Sequence, residues 1–151
     1  MKQQTSHHEI LIRRGLRFHE SFRYSEALPF FKEAIRLSPN CPSAIYNLAN
    51  TLHMLSKDKE AHDLLSKLLR MSDNQLASGC PVLKQPASFR TDAYYLMFHL
   101  LLSWKSSWLK AFPFAQKHLR QRRRGLKSAW LLATIRGEIA EFRKIHLRPQ
   151  K

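Results

Sequence analysis

The sequence predicts an all-α fold, a right-handed superhelix of stacked helix–turn–helix repeats with a capping helix at the C-terminal end. The first observation is that the chain of 151 residues matches itself at an offset of 34 residues, in both the size and the polarity of the paired side chains. The matching pairs are Leu11/Ile45, Gly15/Ala49, Phe18/Leu52, Ala27/Ala61, Phe31/Leu65 and Ala34/Leu68. The second is the composition, since four glycines and 44% hydrophobic residues suit a helical protein. A fixed period in this range is typical of stacked-repeat architectures.

Small and large apolar residues have separate roles in each repeat. The small ones allow the two helices of a repeat to approach closely, and they are Gly15, Ala27, Ala49 and Ala61. Phe18 and Phe31 are predicted to fill the space between the first two helices. Pro39 follows the second helix and prevents its continuation. An ordinary helical bundle is the alternative, but a bundle does not require a fixed register.

The first four helices can be placed from capping and proline signals. Ser6 and Glu9 have the spacing of a capping box, which predicts a helix start at His7. Pro42 is suited to the first position of the third helix. The four helices are predicted over residues 7–19, 25–37, 42–55 and 58–71.

The second half of the chain departs from this rhythm. Gly79, Pro81 and Pro86 indicate a loop. The final helix is predicted to cover the apolar end of the stack; because Arg136 and Arg143 are cationic, a helix lying on a membrane surface is the alternative. The predicted organisation is one domain over 7–148, with repeats over 8–41, 42–75 and, in degenerate form, 91–124, an inserted loop over 76–90 and a capping helix over 126–146.

The first copy resembles the tetratricopeptide repeat (TPR), whose pattern runs from a large apolar residue through Gly, Tyr, Ala, Phe and Ala to Pro. Those places are occupied by Leu11, Gly15, Phe18, Ala27, Phe31, Ala34 and Pro39. The resemblance covers residues 8–41 and 42–75 and weakens beyond them. It implies a non-enzymatic scaffold or adaptor without a cofactor, which binds a protein or peptide partner in the concave groove formed by the first helix of each repeat.

On this resemblance the partner-binding groove consists of Arg13, Leu16, Tyr46, Asn47, Asn50 and His53. The two asparagines matter most, because a carboxamide both donates and accepts hydrogen bonds and can pair with any peptide backbone. Residues 44–50 resemble the repeats of O-GlcNAc transferase, in which groove asparagines hold extended substrates, and Asn47 occupies the corresponding place. A purely structural hydrogen bond made by Asn47 is the alternative.

Positive charge is concentrated in the second half of the chain. The net charge is +15, and residues 76–151 hold 15 basic but only 3 acidic side chains. A dense basic patch is formed by Lys117, Arg120, Arg122, Arg123, Arg124 and Lys127. Basic runs neutralise phosphates without reading sequence, so the alternative function is binding of nucleic acid or another anionic surface through residues 117–127. A solvated helix end is the structural alternative.

Other classes of function find no support in the sequence. The eight histidines are scattered, with no HExxH motif and no Cys–His pair at metal-ligand spacing. No converging acid–base pair points to an enzyme. The most apolar run, 93–104, is too short to span a bilayer, and the N-terminal residues lack a signal-peptide pattern. A cytoplasmic protein is therefore expected. Self-association is a further alternative, because an uncovered terminal repeat exposes an apolar face.

Overall fold

A computed structural model describes residues 6–78, 86–105, 107–130 and 132–146, and in these ranges the chain forms eight α-helices and no strand. The helices are α1 (His7–Glu20), α2 (Tyr24–Leu37), α3 (Pro42–Met54), α4 (Asp58–Arg70), α5 (Asp73–Ser78), α6 (Pro86–Lys105), α7 (Trp108–Arg123) and α8 (Leu132–His146). The long helices pack in consecutive pairs, α1 on α2, α3 on α4 and α6 on α7. Contacts of α2 with α3 and of α4 with α6 join the pairs into a stack. The predicted all-α repeat fold is confirmed.

The first four helices begin and end within one residue of the predicted positions. The capping box at the start of α1 is formed, since the backbone N–H of Ser6 donates to the Glu9 carboxylate at 3.2 Å. Pro42 is the first residue of α3, as its missing amide hydrogen favours. Local signals in the sequence were therefore sufficient to place this half of the fold.

The 34-residue register extends into the turns between paired helices. Phe22 and Ser56 occupy equivalent positions and have nearly the same left-handed backbone, with φ of 59° and 58°. The amides that follow them bond back in the same way, from Arg23 to the Phe18 carbonyl and from Lys57 to the Leu52 carbonyl, each at 2.9 Å. Neither residue is glycine, so the sequence did not signal this conformation. The repetition is therefore one of backbone geometry as well as of side-chain size.

Gly15 is small because the ring of Phe31 lies directly against it. A Cβ atom added at Gly15 would come within 2.7 Å of Cε1 of Phe31. Phe31 is fully buried, so its ring has little space into which it could move. The predicted packing role of Gly15 therefore has a direct steric cause.

Replacement of Gly15 by Ala is expected to lower the free energy of unfolding by about 1–2 kcal/mol. Overpacking typically costs about 1–3 kcal/mol of stability. The better helix propensity of alanine offsets only about 1 kcal/mol of this loss. Urea unfolding followed by circular dichroism measures the change. Gly137→Ala is the matched control, because a Cβ at Gly137 in α8 meets no atom within 4 Å. That variant should be neutral or more stable; equal losses in both would contradict the steric explanation.

The predicted inserted loop over 76–90 is wrong at both of its ends. The structure has α5 up to Ser78 and starts α6 at Pro86; residues 79–85 lie outside the described residues. The helix α5 is capped reciprocally, since Ser72 N–H donates to Gln75 Oε1 at 2.8 Å and Gln75 N–H donates to Ser72 Oγ at 3.2 Å. Leu76 is buried, which gives this short helix an apolar anchor. The spacing of Ser72 and Gln75 is that of a capping box, which is the sequence signal for the start of α5.

The last helix was predicted over 126–146, but α8 begins at Leu132. Helix α7 ends at Arg123; Gly125, just beyond it, has φ of 83°, and the Leu126 amide bonds back to the Gln121 carbonyl at 3.2 Å. This arrangement is a glycine-terminated helix end. Residues 126–130 therefore form a non-helical segment, here called the return segment.

Helix α8 contacts α6 through a hydrogen bond from the Tyr95 hydroxyl to Glu138 at 2.9 Å; that it caps the stack stays a prediction. Ile135 is fully buried and Ile139 is 8% exposed. Phe142 stacks on Trp108 of α7 with ring centroids 4.1 Å apart. No described helix combines the length and the apolar content that a membrane-spanning helix needs.

Candidate functional site

A cavity of about 260 Å³ lies between α1, α3, the start of α6 and the return segment. We call it the α1–α3 groove. It is lined by Leu16, His19, Glu20, Ser43, Tyr46, Asn47, Asn50, Phe89, Ala129 and Trp130. Since α1 and α3 are the first helices of the first two repeats, the cavity lies on the helix face where a partner was predicted to bind.

The structure brings together four of the six predicted groove residues, namely Leu16, Tyr46, Asn47 and Asn50. Arg13 is exposed on α1 and does not line the cavity. His53 also lies outside it. The role of all six in binding a partner stays a prediction.

The imidazole of His53 is held by two neighbouring side chains. Its Nδ1 lies 2.6 Å from Asp58 Oδ1, and its Nε2 lies 3.1 Å from His99 Nδ1. Burial lowers the pKa of His99, which favours a neutral ring there at pH 7. His53 therefore belongs to a hydrogen-bonded chain beside the groove rather than to its lining.

A second hydrogen-bonded chain orients the two asparagines. Asn47 Nδ2 donates to the Ser43 carbonyl at 2.8 Å, and Asn50 Nδ2 lies 3.2 Å from His19 Nε2. His19 Nδ1 lies 3.0 Å from Thr51 Oγ1, which donates onward to the Asn47 backbone carbonyl at 2.8 Å. Burial lowers the pKa of His19, and a neutral ring with its proton on Nδ1 satisfies every contact in the chain.

This chain uses the nitrogen atoms of the asparagine side chains and leaves their oxygen atoms available. Among the residues that the structure describes, Oδ1 of Asn47 and Oδ1 of Asn50 accept no hydrogen bond. Both amides line the same cavity. They can therefore accept hydrogen bonds from the backbone N–H groups of a ligand without breaking internal contacts.

The return segment supplies the wall of the groove that the sequence analysis missed. Asp92, which is fully buried in α6, accepts hydrogen bonds from Ser128 Oγ at 2.5 Å and from the Ala129 amide at 3.0 Å. Trp130 then donates from Nε1 to the Tyr46 hydroxyl at 3.2 Å and packs on Tyr95 with ring centroids 4.5 Å apart. Burial raises the pKa of Tyr46, so its hydroxyl remains protonated.

Ser43, Phe89, Ala129 and Trp130 were not predicted as groove residues. Trp130 falls within the capping helix predicted over 126–146, but α8 starts only at Leu132. Gly125 follows the basic end of α7 and was the sequence signal that the next helix does not start directly after it. The contact between Trp130 and Tyr46 joins residues far apart in sequence, and nothing local in the chain indicates it.

The side chains of the predicted basic patch differ in their burial and in their neighbours. Arg122 is half-buried, and its Nη1 donates to the Leu126 carbonyl at 3.1 Å. The Lys117 ammonium lies 5.7 Å from the ring centroid of Tyr94. The members with exposed side chains are Lys117, Arg120, Arg123, Arg124 and Lys127.

His118, within the same run, adds no charge to the patch. It is fully buried, and its Nδ1 lies 2.7 Å from the Thr91 carbonyl oxygen. Burial lowers the pKa of His118, so the neutral form is favoured at pH 7. The exposed cations therefore come from lysine and arginine alone.

The described side chains differ in kind from those of a metal centre. Over the ranges that the structure describes, no group of three or more His, Cys, Asp or Glu side chains could hold a metal ion. The hydrogen-bonded groups in the α1–α3 groove are amides, a neutral imidazole and hydroxyls. Such groups can position a ligand through hydrogen bonds.

Stacked helix pairs with small residues at fixed positions define an α-helical repeat protein. Residues 18–78 match the family model for the tetratricopeptide repeat, and this part of the chain is a TPR segment. The match runs from the end of α1 through α5. Comparison with curated proteins finds no significant match. The TPR is a protein-interaction fold and is generally non-catalytic.

Proposed function

We propose that this protein is a non-enzymatic adaptor that holds an extended peptide or a helix of a partner protein in the α1–α3 groove. The observation that carries the proposal is that Asn47 and Asn50 line one cavity of the repeat stack, while their hydrogen bonds to described residues use the amide nitrogens and not the oxygens. A ligand backbone would donate hydrogen bonds to these oxygens. No particular side chain is needed on the ligand for these bonds.

Specificity would come from the apolar part of the groove. Leu16, Phe89 and Trp130 line the same cavity and offer a place for one apolar side chain of the ligand. The volume of about 260 Å³ is below the range of about 300–1,000 Å³ that is usual for small-molecule and cofactor sites. This size favours part of a peptide over a free metabolite. Arg13 and His53 would contact the partner beyond the cavity.

The double variant N47A/N50A is expected to bind its partner about tenfold more weakly or worse while remaining folded. Each neutral hydrogen bond contributes about 0.5–1.5 kcal/mol, so the loss of two amounts to about 1–3 kcal/mol. Partners are captured on the immobilised protein from a lysate at high salt and identified by mass spectrometry. Their affinities are then measured by calorimetric titration with purified components.

N40A/N74A is the matched control, because Asn40 and Asn74 are exposed amides that do not line the groove. This control should bind as tightly as the unmodified protein. Thermal unfolding of both double variants separates lost contacts from lost structure. An unchanged affinity of N47A/N50A for its captured partners would contradict the groove model.

The alternative is binding of nucleic acid or of another anionic surface through residues 117–127. The exposed cations of this run support it. It would give a steep loss of affinity with added salt, because counterions are released on binding, whereas a groove built from amides and apolar groups would give a shallow one. Capture that survives only at low salt and disappears with nuclease treatment would favour this alternative.

A further inference from the structure

A second cavity, of about 650 Å³, lies between α7 and α8, and we call it the α7–α8 cavity. Phe142 near the end of α8 stacks on Trp108 at the start of α7, which joins the two helices at one end. At this volume the cavity falls within the usual range for ligand sites, about 300–1,000 Å³. It shares no lining residue with the α1–α3 groove.

The polar part of the lining is almost entirely cationic. Two arginines come from each helix, and they are Arg120, Arg123, Arg136 and Arg143. Among the residues that the structure describes, the remaining polar residue of the lining is Gln116, and no carboxylate lines the cavity. Among the described residues none of the four forms an ion pair, whereas Arg23, Arg36 and Arg90 each have a carboxylate partner. Like charges gathered around a cleft attract an anion more strongly than scattered ones do.

The rest of the lining is apolar. Phe112 and Leu119 come from α7, and Ile139 and Ala140 come from α8. Ile139 is 8% exposed and the phenylalanine and leucine are half-buried, while all four arginines are exposed. The cavity therefore has apolar inner walls below an edge of guanidinium groups. A ligand that uses all of it carries negative charge and an apolar group together.

We propose that the α7–α8 cavity binds an acidic peptide segment that carries one or two large apolar side chains. Carboxylates match the planar fork of arginine and can pair with it through two hydrogen bonds. An apolar side chain between them would enter the cavity and cover Phe112, Leu119 and Ile139. This site is additional to the proposed α1–α3 groove and does not depend on it.

The geometry favours a peptide over the other polyanions. A membrane surface would be met by apolar side chains that project outward, but here Ile139 is recessed between two helices. Single-stranded nucleic acid binds through aromatic platforms on which successive bases stack. Within the described part of the chain, Phe112 is the one aromatic residue of this lining, and its ring already stacks on Trp108 with centroids 4.7 Å apart.

The test is a fluorescence-anisotropy titration with a labelled peptide, Glu-Glu-Leu-Glu-Glu-Leu-Glu-Glu, at moderate salt. The comparison peptide has the same charge, with both leucines replaced by serine. An oligouridylate of equal charge represents nucleic acid. The leucine peptide is expected to bind more tightly than the serine peptide, because only the former fills the apolar part of the cavity.

Two double variants remove the same charge from different places. R136Q/R143Q removes two arginines from the cavity and is expected to weaken binding of the leucine peptide about tenfold. R124Q/K127Q removes two exposed cations of the basic patch that do not line the cavity. It should weaken binding by about threefold or less, since solvent and salt screen distant charges.

The substitution A140F fills the cavity without changing charge, at a position whose side chain is exposed. It should abolish the preference for the leucine peptide, whereas N47A/N50A should leave that preference intact. Equal losses in the two charge variants would overturn the proposal, because they would indicate binding by overall charge alone. Equal binding of the leucine and serine peptides would also overturn it. The proposal would also be overturned if the oligouridylate bound more tightly than the leucine peptide and lost that affinity in R136Q/R143Q.

Discussion

Replacement of Phe31 by Ala is expected to lower the free energy of unfolding by about 3–5 kcal/mol. Phe31 is fully buried and contacts the position of Gly15, which was kept small for its ring. An alanine would leave a cavity between α1 and α2, and backbone packing prevents these helices from collapsing fully into it. The change is measured by urea unfolding followed with circular dichroism at a helical wavelength.

Leu109→Ala is the control for this substitution, because Leu109 is 86% exposed. It should change stability by no more than about 0.5 kcal/mol. The total stability of a domain is about 5–15 kcal/mol, so Phe31→Ala would leave the repeat stack only marginally folded. A loss of stability below about 1 kcal/mol would contradict the role of Phe31 in filling the space between α1 and α2.

Replacement of Asp92 by Ala is expected to release the return segment and to cost about 2–4 kcal/mol of stability. The carboxyl group of Asp92 accepts hydrogen bonds from Ser128 and from the Ala129 amide, and it is fully buried. Hydrogen bonds to a charged group contribute about 1.5–3 kcal/mol each, and their donors would be left without this acceptor. Trp130 would then lose the anchor that holds it beside Tyr46.

Limited digestion with trypsin reports this release, because Lys127 lies within the return segment. Cleavage there should be at least about tenfold faster in Asp92→Ala than in the unmodified protein, as expected for a segment that opens locally. The control is Asp63→Ala, whose carboxyl group is exposed on α4 and whose loss should leave the digestion pattern unchanged. An unchanged rate of cleavage at Lys127 in Asp92→Ala would show that other contacts hold the segment.

The first two repeats could be predicted from the sequence because their determinants are local and periodic. The steric relation of Gly15 to Phe31 was visible as a small and a large residue that recur at the same spacing as Ala49 and Leu65. Capping and proline signals gave the helix bounds within one residue. The left-handed turn at Phe22 was not predictable, since a phenylalanine rarely adopts that backbone.

The second half was harder to predict because long-range contacts determine it. Residues 126–130 continue an apolar pattern and resemble the start of a helix. They are held in a different conformation by Asp92, more than thirty residues earlier in the chain. The groove wall formed by Trp130 follows from that contact. The two asparagines of the groove, in contrast, were predicted from the resemblance of residues 44–50 to tetratricopeptide repeats, and their role in binding stays a prediction.

Hydrogen exchange followed by mass spectrometry, on the protein alone and bound to a captured partner, tests the proposed adaptor function most directly. The groove model predicts slower exchange on binding in α1, in α3 and in residues 126–130, with N47A/N50A abolishing the difference. Exchange that slows only in residues 117–124, with α1 and α3 unaffected, would contradict the model and indicate that the basic patch is the binding surface.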